Sequence, residues 1–457
     1  MTEIVPIVDK GLGNASYLVD LGDGRALVVD PERDSRPYVR ESRDRGARIA
    51  FVAETHLHND FVSGSRELAA LGATVLASKD AGLEFPHRPL VDQEEVDLGG
   101  LTLRALATPG HTPEHVSHLL LDGSRPLAVF TGGALLRGSV ARTDLLGEDR
   151  AESLARELFR SLTGRLLGLP DDTAVHPTHG AGATFCAAAP ATAGGPSTSI
   201  GHERSTNPLL SPLEEETFVR RLLDDPGTYP DYFRYLREIN QRGPRVIGGD
   251  PPSLDVLSAR VVLGMLEDGA ALVDVRPIRD FAAGHVRGAI SIELRPAFAT
   301  WLGWLVEPDR KLVFVLAEDQ DRTELVRQCL NIGFEQLAGE VGDGVDAWRA
   351  AGLPVGTLET VGAKEIHTDT VLDVRQRSEF EAAHIPGAVH VELGGLEERA
   401  DTLPAGPITV HCSLGPRAMT AASLLERQGR DDLSVMLGRP EDAIEDAGAR
   451  RERAGPE

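Results

Sequence analysis

The chain has 457 residues, too many for one ordinary hydrophobic core, so two to four domains are expected. With 41% hydrophobic and 26% charged residues it has the composition of a soluble globular protein, and its formal net charge of −24 argues against nucleic acid or an anionic membrane surface as partner. Three scattered cysteines (Cys186, Cys329, Cys412), no basic or apolar leader in residues 1–6 and no apolar run of membrane-spanning length point to a reducing, cytoplasmic setting.

Taken in order, residues 1–190 alternate short apolar runs with Gly- and Pro-marked turns. Strands are expected at 26–29, 49–53, 74–77, 101–106, 116–121 and 127–130, with helices at 63–70 and 151–162, a mixture that predicts packed sheets with helices outside. Residues 187–212, rich in Ala, Gly, Pro, Ser and Thr, read as a loop or lid. Helices are expected at 212–223 and 230–242, and the Gly/Pro run at 243–252 marks a boundary, so the first domain is placed at 1–250.

Beyond it the chain repeats itself. Leu272-Val273-Asp274-Val275-Arg276 with Phe281, His285 and Glu293 recurs as Val371-Leu372-Asp373-Val374-Arg375 with Phe380, His384 and Glu392; 373 − 274 and 392 − 293 both give 99. Two copies of one α/β domain are expected, at 256–355 and 358–445, and the polar tail after residue 446 is expected to fray.

In the second copy a strand at 408–411 runs into Cys412-Ser413-Leu414-Gly415-Pro416-Arg417 and then a helix at 418–428. A cysteine between a strand and a helix N-terminus is placed to be a thiolate, because loop N–H groups and the positive helix end both favour the anion. Gly415 relieves the tight turn, and Arg417 adds a fixed positive charge. The first copy reads Leu316-Ala317-Glu318-Asp319-Gln320-Asp321-Arg322, with alanine in the cysteine's place and three acids that would repel an anion. It is expected to be silent, and Cys329, further along a helix, to be structural.

In the first domain two histidines and an aspartate, His56, His58 and Asp60, follow the strand at 49–53. Imidazole plus carboxylate at a strand end is a donor mixture that zinc, iron and manganese accept. His111, in a Pro-Gly turn, and His179, in the stretch Val175-His176-Pro177-Thr178-His179-Gly180, add further candidates, whereas His115, His118 and His176 read as ordinary histidines.

The second half resembles the rhodanese family of sulfurtransferases, through the Asp373–Ala388 run, the six-residue cysteine loop and the tandem arrangement. That resemblance implies that Cys412 carries sulfane sulfur as a persulfide, that Arg417 is its anion-binding partner, and that Ser413, Leu414, Gly415 and Pro416 form the substrate-binding loop. The first half resembles the metallo-β-lactamase superfamily, and the whole chain resembles persulfide dioxygenases fused to rhodanese domains. The fold implied is α/β: an N-terminal αββα sandwich, then two rhodanese-like domains with central parallel sheets. In the superfamily pattern His56, His58 and His111 match one metal position and Asp60 and His179 a second, while Phe61 stands where a further histidine would. This implies one metal ion, Fe(II), with Zn(II) as the alternative. The dioxygenase pattern uses His56, His111 and an aspartate whose place is taken by Gly133; His58 or Asp60, or a water, would then complete the site. The activity implied is oxidation of a low-molecular-weight thiol persulfide by O2 to sulfite, with Cys412 moving sulfur between a persulfide and sulfite or thiosulfate; a homo-oligomer is compatible with it. Two alternatives stand beside this reading: a thioester hydrolase of the glyoxalase II type, and a sulfur carrier with a degenerate metal domain.

Overall fold

Strict alternation along the N-terminal strands divides their side chains between two cores. In the computed structural model, which describes residues 2–180, 185–188, 195–224, 226–366 and 368–444, Tyr17 and Val19 face one way and Leu18 the other, all nearly or fully buried. The chain forms two compact units, residues 1–251 with 327–333 and residues 252–326 with 334–457.

The first unit has two six-stranded sheets. One runs β1 (Ile4–Val8), β2 (Ala15–Asp20), β3 (Arg25–Val29), β4 (Arg48–Ala53), β5 (Thr74–Ser78) and β6 (Arg88–Leu90), antiparallel from β1 to β3 and parallel from β3 onward. The other holds β7 (Glu95–Asp97), β8 (Thr102–Ala107), β9 (Val116–Asp122), β10 (Arg125–Gly132), β11 (Ala174–Pro177) and β12 (Thr198–Ser199), antiparallel except for β10 with β11. Tyr17, Leu27 and Ala53 of one sheet meet Leu103, Leu120 and Phe130 of the other in a shared core. Outside it, Val28 and Val52 pack with Tyr38 and Leu68 from helices, and Val129 and Val175 pack with Leu158 and Phe218. The result is the expected helix–sheet–sheet–helix sandwich.

The second unit repeats one design. Strands β13 (Val256–Leu257), β14 (Ala271–Asp274), β15 (His285–Val286), β16 (Ile290–Ser291), β17 (Leu312–Val315), β18 (Leu337–Val341) and β19 (Val355–Gly356) form a five-stranded parallel sheet in the order β13-β18-β17-β14-β16, plus the pair β15-β19. Strands β20 (Glu359–Gly362), β21 (Thr370–Asp373), β22 (Val389–His390), β23 (Ile408–His411) and β24 (Leu433–Leu437) form a second parallel sheet in the equivalent order, β20-β24-β23-β21-β22. The offset of 99 holds from β14 to β21 and from the helix Ile278–Ala283 to the helix Arg377–Ala382.

Some local expectations change. The stretch read as a lid contains β12 and a helix at Ile200–Thr206, whose N-cap Ser199 accepts a hydrogen bond from the His202 N–H. Residues 189–194 of that stretch, 181–184 before it, and the tail from 445 lie outside the described residues. The helices near 212 and 230 begin later than expected, at Glu215 and Phe233. Among the described residues no helix is long and apolar enough to cross a membrane.

Candidate metal centre and cysteine loop

Parallel strands β3 and β4 end side by side, and their C-terminal ends carry the groups that shape the first site. Asp30, just past β3 and held at φ +48°, accepts the Thr55 N–H (2.7 Å) and the Thr55 hydroxyl (2.7 Å), and also bonds the Thr178 hydroxyl. Thr55 has one hydrogen, given to Asp30, so its oxygen accepts from His56 Nδ1 (2.8 Å). That fixes the tautomer and leaves His56 Nε2 a bare lone pair. His111 is set the same way: Nδ1 donates to the Arg142 carbonyl (2.7 Å). His179 Nδ1 faces two acceptors, Asn14 Oδ1 (3.3 Å) and Asp60 Oδ2 (3.3 Å). Three imidazoles thus turn their Nε2 lone pairs away from their anchors, the outer-shell arrangement that readies histidine for a metal.

One ligand atom from each of His56, His111 and His179 lies within 4.8 Å of the others, and all three side chains are buried. His56 Nε2, His179 Nε2 and Asp60 Oδ1 are buried with no hydrogen-bond partner among the described residues. Orphaned acceptors of this kind are costly unless something electrophilic satisfies them, so the residues fit a metal ion. Burial and the neighbouring imidazoles hold the His56 pKa well below its ordinary value, and burial with His179 lowers that of His111 to about 4. Both rings therefore stay neutral, as ligands must be.

His58 and Asp60 lie in the same loop with different partners. His58 Nε2 bonds Glu54 (2.9 Å) and approaches Asp30 (3.4 Å), and its ring stacks on Phe61 (centroids 4.2 Å apart). Burial alone would lower its pKa, but the two carboxylates raise it to about 10. Asp60 Oδ2 receives His179 and the Cys186 thiol (3.4 Å); burial opposes ionisation, but His179 holds Asp60 well below the usual carboxylate range. Asp60, His179 and Cys186 form a second group of possible donors within 4.8 Å, and Asp30, His56 and His58 a third. His115 accepts the Gly133 N–H at Nε2 (3.1 Å) and bonds Thr108 through Nδ1 (2.9 Å), while His118 donates to the Glu54 carbonyl (2.9 Å). The place of a side chain at Gly133 is taken: a Cβ there would lie 2.5 Å from His111 Cδ2.

Several residues that hold this loop were not legible beforehand. Asn240, on the helix Phe233–Arg242, donates to the carbonyls of His58 (2.8 Å) and Phe61 (2.9 Å) and accepts the Ser63 N–H (2.8 Å). Glu114 accepts the Leu57 N–H (3.1 Å) and forks with Arg237 (2.9 and 2.7 Å). The only signal of Asn240 and Arg237 in sequence is the amphipathic helix itself. A small pocket lined by Leu57, His58, Ala77, Leu83, Phe85 and Pro244 among others borders the loop.

In the second unit Cys412 directly follows β23 and is buried, with the Gly415 N–H directed at its sulfur (3.1 Å). Gly415 sits at φ +117°, a conformation costly for other residues, and the helix Pro416–Arg427 starts behind it. Arg417 forks onto Glu379 (2.6 and 2.8 Å) and also donates to Ser413 Oγ (2.8 Å), which donates to Glu379 (3.0 Å). Burial would raise the Glu379 pKa, yet Arg417 lowers it to about 2. Leu414 projects from the loop, 64% exposed. In the first copy the Gln320 side chain fills the loop, accepting the Ala317 N–H (2.8 Å), and Arg322 donates to the carbonyls of Ala317 (2.8 Å), Glu318 (3.0 Å) and Gln320 (2.7 Å). Its carbonyls converge on a cation where the second copy directs an N–H at sulfur. Cys329 is fully buried, and burial pushes its thiol pKa far up.

Comparison with known proteins places both halves of the chain in known families. The Metallo-beta-lactamase superfamily model matches residues 9–179, and the Rhodanese-like domain model matches 258–351 and 359–438. The mitochondrial persulfide dioxygenase ETHE1 of Homo sapiens is 29% identical over 210 residues, 45% of this chain and 74% of that protein. A hydroxyacylglutathione hydrolase of Prochlorococcus marinus is 29% identical over 163 residues, 34% of this chain and 60% of its own length. The solved structure of a metallo-beta-lactamase from Staphylococcus aureus aligns with a TM-score of 0.65 at 27% identity, covering 74% of this chain and 98% of that one. The chain belongs to the metallo-beta-lactamase superfamily and carries two rhodanese-like domains after its metallo-beta-lactamase domain.

Proposed function

We propose that the chain is a two-part enzyme of sulfur metabolism, oxidising a low-molecular-weight thiol persulfide with O2 to sulfite in its first domain and moving sulfane sulfur through Cys412 in its last. The observation that carries this reading is the pairing, on one chain, of three lone-pair imidazoles with a cysteine whose sulfur receives a loop N–H. The similarity to a persulfide dioxygenase supports it. His56, His111 and His179 would hold the metal, with Asp60 and His58 beside them. A bound Fe(II) supplies the one-electron chemistry that O2 needs in order to react with a closed-shell persulfide.

The chain's own residues do the rest. Imidazole donors add no negative charge of their own to a divalent ion, which favours an anionic persulfide over a neutral thiol. Thr55, Asp30 and the Arg142 carbonyl keep the rings in their ligand tautomers. At the other site the Gly415 N–H stabilises sulfur as an anion, both as thiolate and as persulfide. The first rhodanese-like copy, with Ala317 and its filled loop, takes no sulfur. O2 uptake on glutathione persulfide by iron-loaded protein tests the oxidative half; no uptake with metal bound rejects it. Cys412→Ser should abolish transfer from thiosulfate, and retained transfer rejects the sulfurtransferase half.

A second reading, a hydrolase using water activated between two metals, is favoured by the Asp60–His179–Cys186 group and by the similarity to a hydroxyacylglutathione hydrolase. Two metal ions per chain with thioesterase turnover would establish it over the first.

A further inference from the structure

Arg417 closes the cysteine loop, but an internal anion already engages its guanidinium. It forks onto both oxygens of Glu379 (2.6 and 2.8 Å), so the pair carries no net charge toward a substrate. Ser413, the other side chain of the loop able to grip an oxyanion, is engaged too. Its oxygen accepts from Arg417 (2.8 Å), and its one hydrogen goes to Glu379 (3.0 Å). Pro416 brings no N–H. The Glu379 carboxylate therefore sits on the groups by which a sulfonate would be held. It is fixed from its own side as well: it completes a capping box at the start of the helix Arg377–Ala382, accepting the Gln376 N–H (3.1 Å).

The first copy is arranged differently. Its position equivalent to Glu379, 379 − 99, is Asp280, and there Arg322 pairs with Glu340 (2.9 Å). The fork onto this helix belongs to the copy that keeps a cysteine. The neighbours of the Gly415 N–H that points at Cys412 are apolar. A Cβ at Gly415 would lie 2.7 Å from Leu437 Cδ2 and 3.0 Å from Ile278 Cδ1 of the first copy, and the side chain next to it in the loop is the exposed Leu414.

We propose that the sulfur donor at Cys412 is an organic persulfide of low charge in preference to thiosulfate, and that Glu379 sets this choice by occupying the loop's anion receptor. This rests on the sulfurtransferase reading above. In the step it serves, the Cys412 thiolate attacks the outer sulfur of a protonated alkyl persulfide. The Cys412 sulfur–sulfur bond forms, the donor's sulfur–sulfur bond breaks, and the alkyl thiolate leaves with the electron pair. The proton on the transferred sulfur then passes to that thiolate, giving a free thiol and an anionic Cys412 persulfide. One negative charge enters and one remains. Thiosulfate would bring two more, and the neutral Arg417–Glu379 pair offers them no counter-charge.

The test uses the full chain without O2, so that the first domain consumes no persulfide. Persulfide on the Cys412 peptide is followed by mass spectrometry of quenched protein, against the concentration of thiosulfate or of n-propyl persulfide. The wild-type chain should reach half-saturation at a lower concentration of propyl persulfide than of thiosulfate, a result that needs no variant to fold. Glu379→Gln keeps a residue suited to the capping box while freeing the Arg417 charge. Its half-saturating thiosulfate concentration should fall about tenfold to a hundredfold, the range for a charged hydrogen bond, with little change for propyl persulfide. A wild-type chain that saturates first with thiosulfate, or a Glu379→Gln chain that shifts both donors equally or neither, overturns the assignment. A wild-type chain that forms no Cys412 persulfide from either donor overturns the sulfurtransferase reading, and this inference with it.

Discussion

Replacing Gly133 by alanine probes how tightly the histidine cluster is set. The new Cβ would lie 2.5 Å from His111 Cδ2, 2.8 Å from Cγ and 3.0 Å from Ala141 Cβ, against an ordinary contact of 3.4 Å, so 3.4 − 2.5, about 0.9 Å, must be found. The backbone cannot supply it easily, because the Gly133 N–H is bound to His115 (3.1 Å) and its carbonyl accepts the Ala141 N–H (3.0 Å). The His111 ring must give instead, and a move of that size strains its 2.7 Å bond to the Arg142 carbonyl. Overpacking costs about 1–3 kcal/mol and a stranded buried hydrogen-bonding group about 1–3 more. The expected loss, about 2–6 kcal/mol, lowers the melting temperature of the first unit by something on the order of 10 °C. Thermal unfolding measures it, and metal content of the same preparations should fall in parallel. Gly133→Asp brings a carboxylate but the same Cβ, so it should share the destabilisation of the metal-free chain. An alanine variant that melts within about 1 °C of wild type and loads metal equally would refute the argument that His111 is fixed against this glycine.

Other perturbations follow from the same contacts. Asn240→Ala strands the carbonyls of His58 and Phe61 and the Ser63 N–H, so it should cost about 2–4 kcal/mol and speed amide exchange across residues 58–63; unchanged exchange would show that the helix does not clamp the loop. Glu379→Gln leaves Arg417 with an uncompensated charge, so thiosulfate KM should fall; stability should change by only about 1 kcal/mol or less, because Glu379 is partly solvent-screened. Glu379 also sets a pH window. Its pKa is lowered in the folded chain, from 4.5 to about 2, so its contribution is present above pH 4.5 and is lost as pH falls through 2. Between those values the melting temperature of wild type should drop more steeply than that of Glu379→Gln, and parallel curves would remove the pair from the stability of the loop.

How much of this could be read in the sequence depended on how local the cause was. The strands at 26–29, 49–53, 74–77 and 116–121 are buried apolar runs whose identity needs no partner, and they form as expected. The strand β1 escaped notice because Pro6 sits inside it, tolerable on an edge strand and misleading in a linear pattern. The repeat was legible because both copies keep the aspartate–arginine pair that folds back on itself, Asp274 with Arg276 and Asp373 with Arg375. At the metal centre the candidate donors were visible by residue type, but their roles were not. His58 differs from its neighbour His56 through Glu54, which lies on the same loop, and Asp30, which arrives from a neighbouring strand, because both carboxylates lie against its Nε2. Likewise the positive charge of Arg417 was readable, while the carboxylate that neutralises it stands 38 residues earlier and becomes its partner only in the folded chain.

The copy without a cysteine then has a physical reason to be present. Every residue from Ala418 to Leu425 of the helix behind Cys412 is buried, although a helix laid on one sheet ordinarily keeps a polar face in water. Thr420 and Ser423, which would belong to that face, are instead hydrogen-bonded to Ser291 of the first copy. The cysteine loop begins at the N-terminus of this helix, so whatever fixes the helix fixes the direction of the Gly415 N–H at the Cys412 sulfur. Ala317 stands where the second copy has its cysteine, while the Ser291 edge of the first copy holds the helix behind that cysteine. Loss of the Ser291 edge would uncover a helix stretch, Ala418 to Leu425, in which only Thr420 and Ser423 are polar.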